Sequence, residues 1–168
     1  LRGLVGSEMC IRDRLNTVHY VQESHYHFDE EMFDLSKKEN YSLYGFFQTE
    51  KYFKHIEDSI RIDFSFKDEI KNYCEPLRKQ FKDPIALHIR RGDFLVNHKF
   101  HPPLELDYYE EALKEFDSNR DVIIFSDDTD WCKEQKIFED DRFAVAEGGN
   151  QFYDMCIMTM CDDFIIAN

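Results

Sequence analysis

The chain has 168 residues, 42% of them apolar, enough to bury the core of one ordinary domain or two small ones, which excludes a disulfide miniprotein and a disordered tail. Its 21 lysines and arginines face 35 aspartates and glutamates, a formal charge of −14. That field argues against nonspecific binding of nucleic acid or an anionic membrane, so any phosphate site has to be a local cluster of basic side chains and amides.

Residues 1–14 (LRGLVGSEMCIRDR) have no helical or strand period, fit poorly with the aromatic text that follows, and read as a non-native tract outside the fold. Residues 16–40 are acidic and aromatic without a sustained period, which predicts loop with short strand pieces. Residues 41–48 (YSLYGFFQ) predict a short strand, after which Thr49 is placed to cap a helix over 50–58. Ile60, Ile62, Phe64 and Phe66 alternate with polar residues, the period of a half-buried strand. Phe66, Ile70, Tyr73, Cys74, Leu77 and Phe81 then fall at helical spacing, predicting a helix kinked or begun late at Pro76 and ended before Pro84.

From Asp83 the pattern changes. Residues 85–89 (IALHI) read as a short buried strand followed at once by Arg90-Arg91-Gly92-Asp93. Asp107 and Glu110 have capping-box spacing, and Leu106, Tyr109, Leu113 and Phe116 mark one helix face. Residues 122–125 predict a strand ending in Ser126-Asp127-Asp128, with a helix from Asp130 carrying Trp131 to Phe138. A strand over 142–146, a helix over 151–161 and a strand over 164–167 follow. Strands alternating with helices predict an α/β fold with a parallel, Rossmann-like sheet. The last strand runs straight into Asn168, where a functional loop would begin, so the chain reads as a piece cut at both ends. The five cysteines (Cys10, Cys74, Cys132, Cys156 and Cys161) show neither CxxC pairs nor zinc spacing and read as free, mostly buried thiols of a reducing compartment. No apolar run approaches the roughly 18 residues that span a bilayer.

Ligands of open parallel sheets bind outside the carboxyl ends of the strands, and RRGD and SDD both sit at such ends. Two adjacent arginines suit a diphosphate, since forked planar donors pair bidentately with phosphate oxygens and stay charged at any working pH. The plainer alternative is a surface turn of ion-paired arginines. Asp128-Thr129-Asp130 fits the short DxD pattern by which some glycosyltransferases hold a divalent metal with a nucleotide sugar, and equally a helix cap at Thr129 or Asp130 with the carboxylates in water.

The run LHIRRGDF (Leu87 to Phe94), with DYYEEAL, FSDDTDW and DMCIMTMCDDFIIAN behind it in that order, resembles the alpha-1,2-fucosyltransferases of glycosyltransferase family 11. GFFQTEKYF (Gly45 to Phe53) is similar to the family's Gly-Tyr-Trp-Gln-Ser-Glu-Lys-Tyr-Phe block, so the likeness covers residues 41–168. The resemblance implies a GT-B-like pair of Rossmann-like domains, only partly present: residues 15–82 as the remnant of an acceptor-side domain and 83–168 as an incomplete donor domain. It implies transfer of L-fucose from GDP-beta-L-fucose, with inversion and without metal or other cofactor, to a galactose hydroxyl of a glycan in alpha-1,2 linkage. Arg90 then matches the arginine that grips the donor diphosphate, Arg91 supports the loop or shares the charge, and His88 lies on the nucleotide side. Asp127 and Asp128 match an acidic pair in contact with donor or loop, and Asp154 matches the carboxylate that reads guanine. Asp93 is the nearest candidate for a catalytic base beside Arg90, unless it holds the turn. The partners implied are GDP-fucose and a galactose-terminated glycan, not nucleic acid, in the cytoplasm, free or peripheral at the inner face of a bacterial membrane. The family's amino-terminal Gly-Gly-Leu-Gly-Asn-Gln loop and its Ser-Ser-Phe-Ser-Trp-Trp-Gly block are missing, so this piece is expected to be inactive alone. Two other readings stand beside it: a metal-dependent nucleotide-sugar transferase using Asp128 and Asp130, and a noncatalytic glycan- or nucleotide-binding domain.

Overall fold

The computed structural model describes residues 18–36, 38–147 and 150–167. The 1–14 tract, Cys10 and Asn168 lie outside the described residues. The chain divides into two compact units, Leu1–Ser65 and Phe66–Asn168. Both are built on parallel strands, giving an α/β fold, and no described helix is long and apolar enough to cross a membrane.

In the first unit, β1 (Val18–Gln22) pairs in parallel with β2 (Asn40–Tyr44), Val18 opposite Asn40. Thr49 caps the next segment as predicted, its Oγ1 accepting the Lys51 N–H at 3.4 Å. That segment winds as two 3₁₀ turns, Glu50–Tyr52 and Lys54–Ile56, before α1 (Glu57–Asp63) begins. The strand predicted from Ile60, Ile62, Phe64 and Phe66 is therefore helix over its first half. A strand needs a partner, whereas a helical turn closes locally: Arg61 donates from Nε and Nη2 to Glu57 Oε1 at 2.9 and 2.7 Å, one turn apart.

The second unit opens with α2 (Asp68–Arg78), which runs through Pro76 rather than starting there. The domain boundary predicted after Lys82 falls instead before Phe66, because α2 packs on the last helix of the sheet domain. Buried Cys74 lies 3.6 Å from the Tyr153 carbonyl, and the Tyr73 and Tyr153 rings stack at 4.5 Å. The sheet comprises β3 (Ile85–Ile89), β4 (Val122–Ser126), β5 (Phe143–Val145) and β6 (Asp163–Ile166), all parallel in the order β5-β4-β3-β6. From β3 the chain moves outward to β4 and β5, then returns to the far side of β3. The strand order therefore reverses between β3 and β6, the place where open parallel sheets take ligands at their carboxyl ends.

Side chains alternate between two faces of this sheet. Ile85, Leu87, Ile89, Val122, Ile124 and Ile165 pack beneath Tyr109 and Leu113 of α4 (Leu106–Leu113) and Cys132 of α5 (Thr129–Lys133). Ala86, Ile123, Phe125 and Cys161 pack on the other face, with Phe81 and with Ile157 and Met158 of α6 (Gln151–Thr159). Cover on both faces explains why β3 and β4 read as unbroken apolar runs. The box predicted from Asp107 and Glu110 does not form: the helix begins two residues earlier than a cap at Asp107 would give, at Leu106 after the extended Glu105, and Asp107 Oδ1 accepts its neighbour's N–H at 2.9 Å. The Pro102-Pro103 pair upstream favours that extended approach.

Among the described residues, the Tyr109 hydroxyl is the one buried side-chain polar atom without a hydrogen-bond partner, and burial pushes its pKa up to about 12. Stranding such a group costs about 1–3 kcal/mol. Tyr109→Phe is therefore expected to unfold at the same temperature as the parent or higher, whereas Tyr109→Ala should lose about 3–5 kcal/mol by leaving a cavity. Thermal and urea unfolding of the two variants checks this, and a clearly destabilised Tyr109→Phe would reveal a hidden partner.

Candidate active site

The strand β3 delivers Arg90 and Arg91 directly into the crevice, and Gly92 opens the short helix α3 (Gly92–Val96). The two arginines face different surroundings. Arg91 is fixed: its side chain is 17% exposed, its guanidinium lies 3.8 Å above the Trp131 ring, and its Nε donates to Asp128 Oδ2 at 3.2 Å. Arg90 is 41% exposed, its Nε donating to Asp93 Oδ1 at 3.0 Å, its Nη2 in ion-pair contact with the same oxygen at 2.8 Å and its Nε lying 3.5 Å from Asp127 Oδ2. Arg90 is thus the more accessible of the two arginines.

Asp127 holds the loop from the neighbouring strand. Its Oδ1 accepts the Arg91 backbone N–H at 2.9 Å, and the Gly92 N–H also bonds its carboxylate. A Cβ at position 92 would lie 2.7 Å from Asp127 Oδ2, so only glycine permits this approach. Burial raises the Asp127 pKa, but the Arg91 and Gly92 amides and the Arg90 guanidinium outweigh it and leave the carboxyl below its usual range.

Asp128 has two tasks. While Oδ2 holds Arg91, Oδ1 accepts the Trp131 N–H at 3.2 Å and caps α5, and its own N–H bonds Ser126 Oγ at 3.0 Å. The predicted cap at Thr129 or Asp130 is thus supplied one residue earlier. Asp130 is exposed, and among the described residues no group of three or more His, Cys, Asp or Glu side chains is placed to hold a metal ion. With both Asp128 oxygens engaged, the DxD arrangement would have to break a helix cap and an ion pair to form.

His88 sits half-buried at the end of β3, its carbonyl accepting the Ala167 N–H at 3.2 Å. Burial, joined by the nearby Arg90 charge, lowers its pKa against the opposing hydrogen bond that the ring donates to the Ala167 backbone and the charge of Asp127, so the ring is neutral at pH 7. Asp154 lies apart from this cluster, in the first turn of α6, which Asn150 caps through the Phe152 N–H at 2.9 Å. It lines a cavity of about 330 Å³ together with Tyr73, Phe81, Ala146, Tyr153 and Ile157. Among the described residues no hydrogen bond or ion pair meets its carboxylate, and burial raises its pKa.

The structure therefore gathers Arg90, Arg91, Asp93, Asp127 and Asp128 into one cluster with His88 below it, and sets Asp154 in a separate cavity. Trp131 and Gly92 complete the cluster without having been predicted. Trp131 carried a signal, three residues after Asp128 in the capping turn, but its stacking on Arg91 depends on β3 and β4 being neighbours.

Because the Asp127 carboxyl lies below its usual value in the folded chain, its contribution to stability is present above the unfolded carboxyl range and is lost as pH falls through the folded value. Asp127→Asn should be less stable than the parent near neutral pH, with the gap closing below about pH 4. Urea unfolding at stepped pH measures it; a gap independent of pH would mean that the ionised carboxylate does not hold the loop.

The sequence profile described as Glycosyl transferase family 11 matches residues 9–168, beginning inside the tract that looked non-native. The chain is 30% identical over 148 residues to the O-antigen biosynthesis glycosyltransferase WbnK of Escherichia coli, covering 80% of this chain and 49% of that protein. It is 33% identical over 145 residues to an alpha-1,2-colitosyltransferase, also of Escherichia coli, covering 79% of this chain and 49% of that protein. The chain thus spans about half the length of the curated relatives it matches, and no solved structure matches it significantly. With the profile running through the crevice arginines, the aspartates that hold them and the aromatic first unit, the chain belongs to glycosyl transferase family 11.

Proposed function

We propose that this chain is the donor-gripping portion of an inverting fucosyltransferase that moves L-fucose from GDP-beta-L-fucose to a galactose hydroxyl of a glycan in alpha-1,2 linkage, without a metal ion. The observation that carries the reading is Arg90: a guanidinium with accessible donors at the switch-point crevice, backed by a rigid loop, in a chain of net charge −14. The acceptor oxygen attacks the anomeric carbon from the face opposite the phosphate, the carbon–oxygen bond to GDP breaks, and the electron pair leaves with the diphosphate. Arg90 stabilises the negative charge that develops there, the task a cation performs in DxD enzymes. The proton of the acceptor hydroxyl goes to a carboxylate, for which Asp93 is the candidate once Arg90 has turned to phosphate. Arg91, Asp127 and Asp128 hold the loop in place, and the neutral ring of His88 lies toward the nucleotide. In the GT-B-like arrangement proposed for the whole protein, the first unit belongs to the acceptor side.

The separate cavity supports guanine as the base. An unpartnered, partly desolvated carboxylate beside aromatic walls suits a base presenting two adjacent N–H donors, which guanine offers and adenine and uracil do not. A second reading of the sugar comes from the relative named as an alpha-1,2-colitosyltransferase: the transferred group is then colitose rather than fucose, on the same diphosphate grip.

Titration calorimetry with GDP, GDP-fucose and UDP-sugars, with and without manganese, tests the assignment. GDP binding independent of manganese supports it, a manganese requirement favours the Asp128 and Asp130 reading, and nucleotide binding without turnover in a chain completed to the relatives' length favours a noncatalytic domain. Arg90→Ala should weaken GDP binding by about 2–5 kcal/mol, with lysine restoring only part of it. Unchanged GDP affinity in folded Arg90→Ala removes the assignment. Asp154→Asn should narrow the preference for GDP over ADP and UDP while melting like the parent; a preference kept in full would leave Asp154 as a helix-end charge.

A further inference from the structure

The first unit contains a construction of its own, centred on Glu23. Glu23, which follows β1, is 9% exposed and takes three hydrogen bonds: the Phe46 and Phe47 N–H groups reach Oε2 at 2.9 and 3.2 Å, and the Tyr52 hydroxyl reaches Oε1 at 3.0 Å. Tyr52 in turn accepts the Asp29 N–H at 2.9 Å, so one buried carboxylate ties the 24–29 loop to the 45–53 block. Gly45 fits only because it lacks a side chain, a Cβ there lying 2.6 Å from Glu23 Cβ. Phe47 is held at φ 48°, a left-handed conformation that is strained for an aromatic residue. Strain of this kind persists only where surrounding bonds impose it, and it gathers at functional sites.

The strained turn displays a surface. Beside it opens a cavity of about 650 Å³, lined by Tyr26, His27, Phe28, Glu30, Gln48 and Lys51 among others. Tyr26 is 70% exposed and Phe46 69%, their ring centroids 5.5 Å apart, so two large aromatic faces stand in water next to an amide, an imidazole and a carboxylate. Lys51 and Glu30 both line the cavity, one charge of each sign, and Lys51 lies 5.4 Å from the Phe28 ring centroid. The lining thus combines aromatic faces, donors and acceptors without a surplus of positive charge, unlike the arginine crevice. A phosphate finds little to hold it there, whereas a neutral hexose offers an apolar face of C–H groups to a ring and a rim of hydroxyls to planar polar side chains.

We propose that this cavity is the subsite for the neutral hexose of the acceptor glycan, with Tyr26 as the stacking residue and Gln48 as a hydroxyl-reading residue, an inference that rests on the glycosyl-transfer reading. Glu23 and Tyr52 are positioning residues that fix the 24–29 loop against the 45–53 block.

The test uses the whole chain with methyl β-galactoside and lactose as probes, followed by saturation-transfer NMR and titration at millimolar concentration in the presence of GDP. Parallel calorimetry follows GDP itself. Tyr26→Ala and Gln48→Ala, both at exposed positions, should each weaken galactoside binding by about tenfold while leaving GDP affinity within about twofold, as expected when an anchoring contact is removed from a separate site. Galactoside binding unchanged in both folded variants, or absent from the parent chain, overturns the proposal. GDP failing to bind while the galactoside result holds would overturn the donor assignment and leave this subsite standing, so the two failures are distinguishable.

Discussion

A single carboxylate, that of Asp127, decides whether the crevice arginines have a place at all. Both residues of the Arg91–Gly92 peptide direct their N–H groups at it from the neighbouring strand's loop, so the ends of β3 and β4 are joined by hydrogen bonds beyond the sheet ladder. These bonds satisfy backbone donors that would otherwise point into a crevice lined by other donors. They also explain the glycine at 92 and the lowered pKa of Asp127 as one fact rather than two. The same contact aims the chain so that Arg91 turns inward over Trp131 and Arg90 turns outward.

That division is electrostatic in consequence. A chain of net charge −14 repels anions at long range, so the proposed grip on a diphosphate would have to be won at contact distance. Arg91 is neutralised by Asp128 and stacked on an indole face, arrangements that hold it in place, whereas Arg90 keeps part of its fork in solvent. Bidentate pairing requires a guanidinium whose backbone does not wander, and the fixed arginine beside it supplies that restraint.

Much of this was legible in the sequence where burial is complete. The strands β3 and β4 fall where their apolar runs placed them, and Tyr109 and Leu113 face the core as their helical spacing required, because two-sided burial leaves little choice of residue. RRGD and SDD were legible as strand-end loops for the same reason. Half-exposed segments were ambiguous: the alternation from Ile60 to Phe66 suits a strand on one face, yet among the described residues no strand pairs with it, and its first half closes its backbone bonds within a helix instead. The domain boundary was misplaced because α2 is joined to α6 by Cys74, Tyr73 and Tyr153, a contact between segments 79 residues apart that no local pattern announces. Which arginine stays more exposed was equally hidden, since it depends on Asp127, 36 residues from Arg91, and on Trp131.

The resting partner of Arg90 bears on how the crevice would take a ligand. Its pair with Asp93 joins side chains 41% and 57% exposed, and exposed pairs of this kind contribute only about 0–1 kcal/mol. A diphosphate held by the same guanidinium gains charge-assisted bonds of roughly twice the strength of neutral ones, and more as the site closes to water. In the proposed site the exchange would therefore favour phosphate, with Asp93 a weak holder of Arg90 that does not compete for it. Both guanidinium contacts fall on Oδ1 alone, so releasing one oxygen frees the whole carboxylate beside the point where the leaving group departs. In the proposed reaction the arrival of the donor then does two things at once: it satisfies Arg90 and unmasks a base, which makes donor binding the natural first step before the acceptor hydroxyl is deprotonated.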